Sequence, residues 1–417
     1  KPMSDSWYKV DNVAKVFLAT ASMRDPRVFR ISCTLQEQVD PDTLNEALRR
    51  TAQEWPQFQV TLHRGLFWHY FESTDLMPAA QPETKAPCAP LYTPERRNRL
   101  IYRVTYFGAR INLEMFHAIT DGNGGLLYLK SIVRNYLALR HPGELDSVPS
   151  PNSASAGDLV QDSFRNFYGG TRRRKAEKKT KVYRPHGFLP YDQLQFFEGH
   201  LSARQVLDRS HALGVSMTSY LGACFMLAIY HDMPALERSK PISISLPVNL
   251  RNYYPSETAR NFFNSVYVTH TLTEADTLET VAPVFDAKLK EVLRPENIRA
   301  QMDEYEKLEH VPAIRPVPLF LKNATVKLFT KLEDRHVTAV VSNMGRISIP
   351  AELQPYIRSF AAFSSCKTLF TVVCSYGDDL VLGTASALRS TTILQRFYRS
   401  LAKDGLDVTL YATEVEK

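Results

Sequence analysis

The chain has 417 residues, of which 44% are hydrophobic and 23% charged, with a formal net charge of +7. That length suits two domains or one large one, and the composition excludes collagen-like, disordered and disulfide-scaffold classes. The charge excess is local. Residues 172–184 (RRRKAEKKTKVYR) hold eight basic side chains and one acidic one, which leaves the rest of the chain neutral. A nucleic-acid binder that is basic throughout should not look like that.

Five scattered cysteines (Cys33, Cys88, Cys224, Cys366, Cys374) contain no CxxC pair. They predict reduced, mostly buried thiols rather than a disulfide framework or a zinc cluster. The start, Lys1-Pro2-Met3-Ser4, lacks the apolar core of a signal peptide, although the missing initiator Met leaves room for an earlier trimming. The uncharged stretch from Ser210 to His231 is long enough to span a bilayer. It carries His211, Ser216, Thr218 and Ser219 and is split by Gly214, so it predicts a buried helix from about Met217 to Tyr230. A soluble, cytoplasmic protein without integral membrane association is expected.

In chain order, residues 28–35 (VFRISCTL) read as a strand. Asp40-Pro41 supplies an N-cap and a first-turn proline, Leu44, Ala47, Leu48 and Trp55 fall at helical spacing, and Pro56 stops the helix. Two aromatic-rich strands, FQVTLH and LFWHYF, join at Arg64-Gly65, and a Pro-rich loop covers 78–98. Strands at about 100–107 and 110–116 flank Gly108, and a helix at about 124–139 follows. Residues 141–190 are Pro-rich and Ser-rich, contain the basic run and read as a crossover. Beyond it come a strand at 193–201 and a helix opened by a Ser202-x-x-Gln205 capping box and closed at Gly214. The buried helix and the strand PISISLP follow. Further strands fit near 265–272, 337–342, 368–375, 379–386 and 407–412, with helices near 277–293, 297–310, 318–332 and 391–403. The class is α/β or α+β. The organisation expected is an N-terminal half (1–170), a basic linker (171–190) and a C-terminal half (191–417).

One segment carries chemistry: Phe116-His117-Ala118-Ile119-Thr120-Asp121-Gly122-Asn123-Gly124-Gly125. His-x-x-x-Asp alone is a weak signal, but here an apolar strand (INLEMF) delivers His117 to its end and a helix starts just after. Three glycines within four residues permit close backbone approach. Such a junction can hold a side chain rigidly against a cavity. An imidazole of near-neutral pKa suits a general base for a hydroxyl or amine. Asp121 would either orient it or anchor the turn by pairing with an arginine elsewhere; a satisfied histidine in a Gly-rich turn is the bland alternative. No further His, Cys or carboxylate stands at metal-ligand spacing. The GxSxG elbow, the P-loop and GxGxxG are missing, so serine hydrolase, nucleotide hydrolase and dinucleotide oxidoreductase readings lose support.

His117-x-x-x-Asp121-Gly122 after an apolar strand resembles the signature of the chloramphenicol acetyltransferase-like superfamily. That group holds condensation domains, plant BAHD acyltransferases, wax ester synthases and bacterial alcohol acetyltransferases. VDPDTLNEALRRTAQEWPQFQVTL is similar to the first helix and strand of condensation-like N-terminal halves, and SARQVLDRSHALGVSMTSYLGACFMLAIY to the helix pair opening their C-terminal halves. Pro247-Val248-Asn249-Leu250-Arg251 with Asn261-Phe262 matches the segment that supplies an arginine and an asparagine. Val341-Ser342-Asn343-Met344-Gly345-Arg346 is similar to the SN-x-G stretch of alcohol acetyltransferase-like members. Phe116 replaces the first histidine of the doubled motif of condensation domains, and no DFGWG is present.

The resemblance implies two similar α/β halves, each a mixed sheet flanked by helices, with a tunnel between them and His117 at its middle. It implies transfer of an acyl group from a thioester to a hydroxyl or amine, His117 acting as general base. Asp121 and Gly122 would shape the turn, Arg251 would pair with Asp121, and Ser342 and Asn343 are candidates for polar support or the oxyanion. No tightly bound cofactor and no metal are implied; acyl-CoA, or the phosphopantetheine of an acyl carrier protein, would be the co-substrate. Both halves are present, so a monomer can hold a complete site. Arg172, Arg173, Arg174 and Lys175 are candidates for the donor's phosphates or an acidic carrier protein, against a plain solvated loop. With Tyr183 the run's one aromatic, nucleic acid is not expected as a partner. A trans-acting carrier-dependent enzyme and a non-catalytic binding module are the alternatives.

Overall fold

The computed structural model describes residues 7–93, 98–145, 147–151, 163, 180–191, 193–307 and 317–413. The first half runs β1 (Trp7–Lys9), α1 (Asn12–Thr20), β2 (Val28–Leu35), α2 (Pro41–Glu54), β3 (Val60–Arg64), β4 (His69–Ser73), β5 (Ala80–Pro82), β6 (Tyr102–Phe107), β7 (Arg110–Phe116) and α3 (Gly122–Arg140). The second runs β8 (Gln195–Ser202), α4 (Ala203–Ala212), α5 (Met217–Asp232), β9 (Ile242–Asn249), β10 (Phe263–His270), α6 (Leu278–Val292), α7 (Pro295–Lys307) and α8 (Leu319–Glu333). It ends with β11 (Ala339–Arg346), β12 (Ile357–Ser364), β13 (Leu369–Tyr376), β14 (Asp379–Ser386), α9 (Thr392–Lys403) and β15 (Thr409–Ala412).

Local chemistry explains most of these bounds. Asp40 caps α2 through a 2.8 Å bond from Thr43 N to Oδ2, Pro41 opens the helix, and Leu44, Ala47, Leu48 and Trp55 are buried. Each fully buried leucine of that stripe contributes roughly 1.5–3 kcal/mol. Gly108 turns β6 into β7 at φ +56°, and Gly214 closes α4 at φ +68°. The box at Ser202 is only half formed. Ser202 Oγ accepts from Gln205 N at 3.2 Å, but the Gln205 amide instead donates to Asp407 Oδ2 at 2.8 Å.

Three sheets result. β12-β2-β7-β6-β5 is antiparallel except for β5, and β3–β4 is a hairpin to which β1 adds. The seven-stranded sheet has the order β10-β9-β11-β13-β14-β8-β15, parallel at β9/β11/β13 and antiparallel elsewhere. Mixed α/β architecture with two lobes, as the sequence suggests, is therefore present.

β12 belongs by sequence to the second half and by hydrogen bonding to the first, with Ala361 opposite Ser32. It also lies across β14, where a Cβ on Gly383 would stand 1.9 Å from the Ala362 carbonyl oxygen, so no larger residue fits. The seven-stranded sheet feeds two cores: Val372, Cys374, Val381 and Ala385 face the first, and Leu369, Val373, Leu380 and Leu382 the second. An ion pair from Arg110 on β7 to Glu198 on β8 (2.7 Å) adds a polar tie between lobes. All five cysteines are free and buried. Among the described residues no single helix is long and apolar enough to cross a membrane, and α4 and α5 meet at 84°. The 217–230 helix is buried along most of its length, as expected.

Candidate active site

The segment after β7 folds as its residues demand. Asp121 is the N-cap of α3: Oδ1 accepts from the backbone of Asn123 and Gly124 at 3.1 Å each, satisfying two of the helix's free N–H groups. Oδ2 accepts from Arg251 Nη1 at 2.7 Å and Phe262 N at 2.9 Å. Both oxygens are thus engaged away from the imidazole, and of the two roles open to Asp121 the geometry favours the anchor. Arg251 Nη2 donates to the carbonyls of Thr258 and Arg260, both at 2.7 Å, while Nη1 also reaches Asn249 Oδ1 at 3.1 Å, and so the 258–262 loop is folded against the start of α3. The pair is nearly buried, with side-chain exposures of 11% and 6%. Two glycines are required by contact. A Cβ on Gly124 would come 2.1 Å from Thr120 Oγ1 and 2.4 Å from the Ala259 carbonyl oxygen, and one on Gly125 would come 2.6 Å from the Phe29 ring. Gly122 differs: a methyl there would meet only Met344, at 3.8 Å, on the cavity side.

His117 is half-buried among Phe17, Phe29 and Phe263, at centroid distances of 4.4, 4.9 and 5.6 Å. Its backbone N–H donates to the Arg27 carbonyl at 2.8 Å. Its tautomer follows from Asn261. The Asn261 Nδ2 donates to Asp11 Oδ2 at 3.2 Å and to the His117 carbonyl at 3.0 Å, so its Oδ1 faces imidazole Nδ1 at 3.2 Å. An amide oxygen only accepts. Nδ1 therefore carries the proton, and Nε2 is the basic nitrogen. Burial holds the imidazole below its ordinary pKa; the Asp121 charge and the Asn261 bond oppose this, and the Arg27 guanidinium adds to it. The neutral base is thereby present at neutral pH.

Arg27 itself sits at φ +57°, a backbone conformation that side chains other than glycine rarely adopt. Its guanidinium pairs with buried Asp25 at 3.2 Å and lies 5.6 Å from the Phe17 ring centre.

A cavity of about 3160 Å³ runs between the lobes, larger than the roughly 300–1,000 Å³ of a single small-molecule site. His117, Asp121, Gly122, Arg251, Ser342 and Asn343 all line it, brought together from β7, α3, the 250–252 turn and β11. Asn343 is held in a local turn, its Oδ1 accepting from Gly345 N at 2.7 Å and its Nδ2 donating to Thr218 at 2.8 Å. The Ser342 hydroxyl is half-buried on the same wall. Arg172, Arg173, Arg174 and Lys175 lie outside the described residues. At the described end of the basic run, Arg184 lines the cavity, and among the described residues nothing pairs with its buried Nε. Sequence reading singled out neither Asp11, Phe17 nor Arg27, and placed Asn261 only within a matching stretch.

No protein-family profile matches the chain. Two uncharacterized proteins of Mycobacterium tuberculosis, from strains CDC 1551 / Oshkosh and H37Rv, are each 26% identical over 264 residues. The match covers 58% of this chain, and the chain spans 58% of the length of these curated relatives. Solved structures match over nearly the full length. The first condensation domain of the calcium-dependent antibiotic synthetase, in complex with a substrate analogue, gives a TM-score of 0.62 at 14% identity, covering 96% of both chains. The chain has the condensation-domain fold. Polyketide synthase associated protein 5 from Mycobacterium tuberculosis shares it at 0.61 and 15% identity (95% of this chain, 97% of that one). F. sporotrichioides TRI101, complexed with coenzyme A and T-2, shares it at 0.57 and 11% (96% and 99%). The condensation fold fixes an architecture and not a reaction, so function has to be argued from the site.

Proposed function

We propose that the protein is an acyltransferase that moves an acyl group from a thioester donor to a hydroxyl or amine. The observation that carries this reading is the orientation of His117: Nδ1 held by Asn261, Nε2 basic, in a cavity large enough for two substrates. In the proposed reaction Nε2 removes the acceptor's proton as its oxygen or nitrogen attacks the acyl carbon. The C–S bond of the tetrahedral intermediate then breaks, and the imidazolium returns the proton to the thiolate. No bond forms between enzyme and acyl group. Asn261 Oδ1 accepts from Nδ1–H throughout, and its bond strengthens as the ring becomes charged. Asp121 and Arg251 position the turn rather than react. Gly122 leaves the cavity wall bare where the reacting groups approach, and the Ser342 hydroxyl is the candidate donor to the oxyanion.

Acyl-CoA is the proposed donor, with Arg184 meeting its phosphates, which fits a cytoplasmic enzyme. The likeness to a synthetase condensation domain favours a second donor, the phosphopantetheine thioester of a carrier protein acting in trans. Thiol release measured with acyl-CoA and with an acyl carrier protein, against alcohol and amine acceptors, separates the two. Release matched by ester or amide formation from acyl-CoA, with the donor KM raised several-fold in Arg184→Gln, is the expected result. Release without any acylated acceptor from either donor contradicts acyl transfer.

A further inference from the structure

α8 is an amphipathic helix turned inside out. Leu321, Leu328 and Leu332 fall within about 40° of one another around its axis, and they are 47%, 62% and 43% exposed. Phe320 and Phe329 widen that outward stripe, while Leu319 alone among the helix's side chains is buried. The inward side, which packs on α1, carries Asn323, Val326 and Thr330. Exposed Lys327 and Lys331 border the stripe. The helix is tied to the β3–β4 turn, since Leu319 N donates to the Leu66 carbonyl at 2.9 Å and Lys322 Nζ to that of Phe67 at 3.2 Å. That turn exposes Leu66 and Trp68 next to the basic Arg64.

Exposed apolar side chains grouped in this way are characteristic of interaction sites. Two features identify the occupant. The basic residues Arg64, Lys327 and Lys331 rim the patch, which is the arrangement that suits an apolar face sunk among anionic headgroups. The patch is also continuous with the cavity: Trp7, Trp68 and Phe329 line it while remaining more than half exposed, so they form its mouth. We propose that α8 and the β3–β4 turn dock on an anionic lipid surface, with the cavity mouth opening onto it. A lipophilic substrate can then pass from bilayer to cavity without crossing water. The contact is peripheral and adds no membrane-spanning segment.

The chain's fluorescence supplies a probe, because Trp55 is fully buried whereas Trp7 and Trp68 stand at the mouth. The full chain is mixed at low salt with phosphatidylcholine vesicles and with vesicles containing phosphatidylglycerol, and followed by sedimentation and tryptophan emission. Binding to the anionic vesicles with a blue shift, weakened roughly tenfold or more in Leu328→Glu/Leu332→Glu and weakened by salt in the wild type, is expected. Lys327→Glu/Lys331→Glu should lose the preference for anionic lipid while keeping the wild-type melting temperature. Absence of binding to anionic vesicles overturns the proposal, as does binding that the leucine variant leaves unchanged. A concentration-dependent dimer that the same leucine variant dissolves, with no vesicle binding, assigns the face to a second copy of the chain and likewise overturns it.

Discussion

α3 and α8 both border the central cavity, and they treat their surroundings in opposite ways. α3 is closed on itself. Its N-cap carboxylate accepts four hydrogen bonds, its glycines touch Thr120, Ala259 and Phe29, and its first turn is welded to the 258–262 loop by Arg251. α8 has no side-chain cap and presents leucines outward. The His117 end of the cavity is thus tied down from several sides, whereas the mouth exposes apolar side chains with no such ties. Rigidity at the base is what general-base catalysis needs, since small displacements of Nε2 are costly.

Substitutions can break this contrast. The largest stability effect is expected at the α3 end: Asp121→Ala strands the nearly buried Arg251 and uncaps the helix, and should cost about 3–5 kcal/mol by denaturant unfolding. Asn261→Leu should keep the fold but lower kcat by roughly 10–100-fold with KM little changed, because a hydrogen bond to a developing imidazolium is worth about 1.5–3 kcal/mol. Arg27→Gln sharpens the electrostatic side of the account. Arg27 lowers the His117 pKa, so its removal raises that pKa. The acid limb of kcat/KM should then move to higher pH while the plateau above it holds. The smallest effect is expected at α8, where Leu328→Glu/Leu332→Glu should change unfolding free energy by no more than about 0.5 kcal/mol per site and leave turnover of water-soluble substrates unaltered.

The same division marks what the sequence could reveal. The strand, turn and helix around His117 were legible because their signals are local: INLEMF, three glycines and the Asp121 cap lie within fifteen residues. The Arg251 partner of Asp121 followed from a resemblance, and the structure brings the two within 2.7 Å. What fixes the imidazole is not local. Asp11, Asn261 and His117 meet across sequence separations of 250 and 144 residues, and no periodicity announces such a meeting. α1, which carries Phe17 onto the imidazole, is only nine residues long, so its periodicity runs for little more than two turns. β12 escaped because Ala361 and Ala362 replace the bulkier residues of a strand signal, and it is Gly383 on β14 that lets the two backbones approach. The outward face of α8 was hidden for a different reason. Hydrophobic spacing predicts a helix correctly but is silent on which way the stripe points.

The central claim, that Nε2 of His117 is the base for direct transfer, is tested most directly by single-turnover thiol release from acyl-CoA with a saturating alcohol acceptor. Wild type and His117→Ala are compared, and the protein mass is recorded during turnover. A loss of about 10²–10⁴-fold in the variant, with the enzyme's mass unchanged throughout, is the expected result. Equal rates in the two proteins, or an acylated enzyme that forms and decays at the rate of product formation, would contradict it.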